Sequence, residues 1–183
     1  MAVPPDPVVY DSAVEGVFIR GLGPRVTPAL KAKLRELGLD LDRKLLPTYP
    51  RDAWIRMLEV TVAELFPDVS REEGFRRLGE VAVSGLGHTM MGKVLVSMAR
   101  LMGPRRSLLR LPQGVPSVNN FTRMELEEVE PCHFRAHLNE YYHPAYVQGA
   151  IHAAMTIADA KDIQVVILDS RPESISLDVR WAP

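Results

Sequence analysis

The sequence predicts an α+β domain: a helical N-terminal region, then strand, strand, helix, strand, strand, forming a mainly antiparallel sheet packed against the helices. Three observations carry that prediction. Apolar residues recur three or four apart through Met102, the spacing of one helix face. Helix starts and stops punctuate the same stretch at Thr27-Pro28, Gly38, Tyr49-Pro50, Pro67, Ser70 and Gly103-Pro104. Beyond Asn119 the apolar period falls to two, as in strands with one buried face.

Residues 1–11 hold Pro4, Pro5 and Pro7 and read as an extended N-terminal arm. Val14 to Leu22 mixes β-branched and aromatic residues with glycine, and a short strand and a helix start both remain open there. Thr27 then caps a helix with Pro28 at its first position, Leu30, Leu34 and Leu37 on one face, and Gly38 as its stop. A second helix follows Tyr49-Pro50, with Trp54, Leu58, Val62 and Leu65 on its buried stripe.

Ser70-Arg71-Glu72-Glu73 is a capping box for a third helix, whose inner face is Phe75, Leu78, Ala82 and Leu86. Gly85-Leu86-Gly87 predicts a bend, because each glycine lowers helix stability by roughly 1 kcal/mol relative to alanine. Met91, Leu95, Met98 and Met102 continue an apolar line that reads as core, up to the stop at Gly103-Pro104.

Phe121 to Val129 and the alternation of Phe134, Ala136 and Leu138 with His133, Arg135 and His137 predict two paired strands. Pro144 opens a helix with Val147, Ala150, Ile151, Ala154 and Ile157 inward, its small residues permitting close packing. Ile163 to Leu168 and the alternating Ile175, Leu177, Val179 and Trp181 are the last two strands, with Asp169 to Ser174 as the loop between them. No linker or repeat divides residues 1–183, which are read as a single domain.

Lys plus Arg number 22 against 23 Asp plus Glu. There is thus no positive field of the kind that non-specific nucleic-acid binding requires, and nucleic acid is not an expected partner. The local basic group of Arg100, Arg105, Arg106 and Arg110 reads as a solvated helix face. Cys132 is the sole cysteine, which excludes an internal disulfide and fits a reducing, cytoplasmic setting. No apolar run approaches the roughly 20 residues of a membrane span, so no membrane insertion is expected.

At Tyr49-Pro50, Trp54, Leu78-Gly79, Gly85, Thr89, Gly92, Arg100 to Arg106 and Trp181, the chain resembles a myxobacterial paralogous family catalogued as a domain of unknown function. The order of elements also resembles the ligand-binding fold of haem–nitric-oxide sensors, vinyl-reductase-type domains and small subunits of the Golgi tethering complex. That resemblance implies sensing or assembly, commonly as a dimer with a small or acyl ligand against the helices. The Tyr-x-Ser-x-Arg motif with which the haem sensors grip propionates does not occur here, and His88 is the nearest counterpart of their helical iron ligand. The cysteine cluster of the vinyl-reductase-type domains has no match in Ile163 to Trp181. No cofactor or metal is therefore expected.

Pro131-Cys132-His133, His137 and His143 gather the thiol and three of the five histidines. On a strand, His133 and His137 stand about 13 Å apart at roughly 3.3 Å per residue, too far for one zinc ion with bonds near 2 Å. Cys132 and His133 point to opposite faces, so Cys132 reads as a structural thiol. The glycines from Gly85 to Gly92 lack the strand context and lysine of a phosphate loop; with the methionines they suggest instead an apolar pocket formed by Trp54, His88, Met91 and Leu95. The leading expectation is a non-catalytic interaction or signalling module acting as a homodimer or with a protein partner. A sensor holding a small apolar or acyl ligand among the helices is the alternative, and an enzyme using Cys132 and His133 the third.

Overall fold

The computed structural model describes residues 6–86 and 90–183, with the side chains at 86, 90–93 and 95 outside that description. The arm expected over residues 1–11 enters the fold at β1 (Val8–Tyr10), which pairs antiparallel with β2 (Thr48–Pro50). Val9 is completely buried, and Asn120 Oδ1 accepts from Val8 N at 2.9 Å. The stretch left open between strand and helix is helical: α1 starts over Asp11–Val14 and continues as a π-helix over Glu15–Leu22, with Val14, Val17, Phe18 and Leu22 inward.

Helix α2 (Pro28–Glu36) is capped by Thr27, whose Oγ1 accepts from Leu30 N at 3.1 Å, and it ends before Gly38 at φ 95°. Helix α3 (Arg51–Leu65) buries Trp54, Met57, Leu58 and Val62. Helix α4 (Arg71–Leu86) realises half of the predicted capping box. Ser70 Oγ accepts from Glu73 N at 3.2 Å, but the Glu73 carboxylate is taken by Arg76 and Arg77, whose hydrogen bonds hold its pKa down at about 2.

The helical run α5 (Met90–Leu108) is broken at the expected stop: Gly103, at φ 75° and ψ 173°, leaves helical geometry, and a second short helical stretch runs from Pro104 to Leu108. Of the apolar line read as core, Met98 is exposed and Met102 half-buried, while the side chains of Met91 and Leu95 lie outside the described residues. A short α6 (Leu111–Gly114) leads to the sheet.

Strands β3 (Arg123–Glu130), β4 (His133–Asn139), β5 (Lys161–Arg171) and β6 (Ser174–Ala182) form one sheet in the order β3-β4-β6-β5, each neighbour antiparallel, with α7 (Pro144–Ile157) between β4 and β5 in sequence. The loop expected over Asp169 to Ser174 shrinks to Pro172 and Glu173, because Arg171 already pairs with Ser174. Two-residue connections match the twist of paired strands.

Two apolar cores result. The first gathers Val9, Phe18, Trp54, Met57 and Phe75 from β1 and α1 to α4. The second lies between α7 and one face of the sheet, with Ile151, Met155, Phe134, Leu177, Val179 and Trp181. Helices α4 and α7 join them at van der Waals contact: a Cβ on Gly79 would sit 2.0 Å from Tyr146 O, and one on Gly149 would sit 1.9 Å from Arg76 O.

Candidate functional site

Of the pocket expected from sequence, Trp54 is placed in the first core, fully buried. His88 lies outside the described residues, and Met91 and Leu95 are backbone positions on α5, which runs against α7. Around Trp54 the structure assembles an aromatic junction. Phe18 stands edge-on at 5.9 Å, Tyr142 at 6.1 Å, and Tyr142 in turn meets Phe121 at 5.6 Å and Tyr146 at 5.8 Å. Such edge-to-face pairs stabilise by about 0.5–1.5 kcal/mol beyond their buried area.

The junction is rich in donors. Trp54 Nε1 and Arg51 Nε are buried with no hydrogen-bond partner among the described residues, and the Arg51 guanidinium lies 5.2 Å from the Phe121 centroid. An unmet buried donor costs about 1–3 kcal/mol. Asn119, also buried, donates to the Tyr142 hydroxyl at 3.1 Å and accepts from Phe121 N and Thr122 N, which fixes the entry to the sheet. Burial pushes the Tyr142 and Tyr146 hydroxyls far above the usual phenol range, so both stay neutral. Sequence reasoning missed Arg51, Asn119 and the two tyrosines; the available signal was Tyr142 and Tyr146 one helical turn apart at the mouth of α7.

The histidines separate rather than converge. His143 caps α7, with Nδ1 accepting from Ala145 N at 3.2 Å, and its ring stacks on Phe75 at 3.9 Å. Its Nε2 is 2.9 Å from Arg71 Nη1, and Arg71 is also paired with Glu59. This corner opens a cleft of about 380 Å³ lined by Ser70, Glu73, Arg76, His143, Gln148 and Ile167. Burial first, then the Arg71 charge, holds the His143 pKa below its ordinary value.

His133 and His137 lie on the sheet face turned away from the core. His133 Nε2 is 2.6 Å from Asp178 Oδ1, and Arg180 Nε donates to Asp178 Oδ2 at 2.6 Å. Burial opposes ionisation of Asp178, but the His133 and Arg180 hydrogen bonds outweigh it and depress its pKa. His137 Nδ1 meets Ser176 Oγ at 2.9 Å. Cys132 is not on a strand; with Pro131 it forms the turn between β3 and β4, half-buried against the second core. Among the described residues no three of His, Cys, Asp and Glu come together as a metal site, and no helix is long and apolar enough to cross a membrane.

A family model described as a protein of unknown function (DUF2378) matches residues 7–182. No curated protein matches the chain. Among solved structures, an Fe(II) unliganded H-NOX mutant from K. algicida superposes with a TM-score of 0.69 at 11% identity, covering 94% of this chain and 96% of that one. An H-NOX mutant of T. tengcongensis gives 0.61 at 14% identity, covering 94% and 96%. An oxygen-binding H-NOX domain related to soluble guanylate cyclases gives 0.60 at 13%, covering 94% and 93%. At such identities the likeness shows the fold alone, and the fold is H-NOX-like.

A haem does not fit the described residues. The interior where the two cores meet is filled by the rings of Phe18, Trp54, Phe121, Tyr142 and Tyr146 and by the backbone contact of α4 with α7. Of the described histidines, His133 and His137 are held on the outer sheet face, His143 caps α7, and His152 is 3.4 Å from Glu80.

Proposed function

Because the chain belongs to the DUF2378 family of proteins and has an H-NOX-like fold, we propose that it is a non-catalytic interaction module that signals by docking a protein partner on α5. One observation carries this reading. Val94, Met98 and Leu101, at i, i+4 and i+7, are exposed to 55%, 41% and 88% on a helix whose main contact is with α7. Burying a leucine stabilises by roughly 1.5–3 kcal/mol, so a stripe of this kind favours a cover.

Arg100 lies on the same helical stretch and Arg106 just beyond its break at Gly103, while Arg105 is paired with Glu128 at 2.6 Å. A partner helix with its own apolar stripe and acidic flanks complements that face. The test places a photo-crosslinking amino acid at Leu101, and in parallel at exposed Arg43, in the native cell. A protein adduct from position 101 alone, lost when Met98→Glu is added, is expected. Equal adducts from both positions would overturn the reading.

A second reading, a sensor for a small acyl ligand, is favoured by the buried Trp54 N–H, which lacks an acceptor among the described residues. An acyl carbonyl offers one, and the packed rings around Trp54 would part to admit it. Native mass spectrometry checks it: a retained mass that disappears in Trp54→Phe supports it, and an apo spectrum in the unaltered protein counts against it.

A further inference from the structure

We infer that two copies of this chain join through β5, edge to edge and antiparallel about Val165, extending the four-stranded sheet to eight. Among the described residues the sheet has two unpaired edges, and they differ in chemistry. β3 sets Glu125, Glu127, Glu128 and Glu130 along its length, the charge that natural sheets use to prevent pairing. β5 has eleven residues, with charge confined to its ends and Ile163 to Leu168 between. Val166 and Leu168 are exposed to 50% and 54%.

The register follows from symmetry and charge. With Val165 on a two-fold axis, Ile163 faces the partner copy's Ile167 and Lys161 faces its Asp169; within one copy Lys161 pairs with Asp159 at 2.6 Å and Arg171 with Asp169 at 2.9 Å, so Lys161 and Asp169 exchange these local partners for each other across the seam. Sliding the strands to the next register of the same facing sets Lys161 against Arg171, a like-charge pair that disfavours it.

The backbone agrees with the first register. β5 leaves regular pairing with β6 between Lys161 and Gln164 and again between Ile167 and Asp169. These irregularities lie on either side of Val165, so each copy's first meets the other's second. The Val165 carbonyl accepts from Gln148 Nε2 of α7 at 2.7 Å, and a carbonyl accepts twice. The inference does not depend on the α5 face, which is a separate surface.

Charge reversal on the full chain tests it by sedimentation equilibrium. The unaltered protein is expected to dimerise, and Lys161→Asp or Asp169→Lys alone to raise the dimer Kd about tenfold, since each creates two like-charge pairs. Mixed together, the two single variants are expected to form a heterodimer at least as tight as the unaltered dimer, because both cross-strand pairs are then opposite in charge. A monomer at high concentration would overturn the inference. So would a dimer indifferent to both reversals, and either result leaves the α5 reading standing.

Discussion

His143 shows how one side chain can carry a pH dependence without being catalytic. Both of its ring nitrogens face N–H donors, Ala145 N and Arg71 Nη1. A neutral imidazole accepts through one nitrogen, and a protonated ring through neither. Burial and Arg71 lower its pKa from 6.5, with Glu59 and Glu72 acting in the opposite sense. A histidine depressed in this way contributes stability that is complete above its unfolded pKa and lost as pH falls through the lower folded value. The urea midpoint should therefore drop as pH falls from above 6.5 through the lower folded value, and His143→Asn, which keeps a capping acceptor, should flatten the drop; parallel curves for the two proteins would refute this. In sequence, His143 stood out only as a companion of Cys132 and His133. Its role was legible in its position before Pro144, where a helix cap belongs, rather than in its neighbours.

At the scale of elements, the close crossing of α4 and α7 depends on glycine from both helices. A methyl on Gly149 would meet the carbonyl of Arg76, whereas one on Gly114 would meet nothing within 4 Å. Gly149→Ala should cost at least about 2–3 kcal/mol, as overpacked sites do, while Gly114→Ala should stay within roughly 1 kcal/mol of the unaltered protein. Urea melts of the two variants give the comparison, and similar midpoints would mean that the helices part without cost. The helices, the change of period after Asn119 and the alternation of β6 were legible because each depends on neighbours close in sequence. The small residues of α7 were legible as a close contact, but their partner on α4 was not, since a crossing needs both helices in place. Met98 was read as core for a related reason: periodicity reports that residues share a face, not that anything covers it.

At the scale of the molecule, the question is whether the two cores fold as one unit. The chain has two tryptophans, and the fold puts Trp54 in the first core and Trp181 in the second. Trp181→Phe therefore leaves fluorescence that reports the first core, and Trp54→Phe leaves fluorescence that reports the second. The cores touch mainly through α4 on α7, with Tyr142 and Tyr146 reaching from the C-terminal half into the aromatic junction. Buried backbone contact of that kind couples the units, so each single-tryptophan protein should lose its fluorescence at the midpoint of its own circular-dichroism transition. Adding Gly149→Ala to both should weaken the coupling, since cooperativity fails where the interface between folding units is poor. The fluorescence midpoint should then part from the circular-dichroism midpoint in at least one of the two proteins. Coincident transitions after that substitution would place the coupling elsewhere, in the pairing of β1 with the segment around Asn120 that ties the N-terminus to the entrance of the sheet.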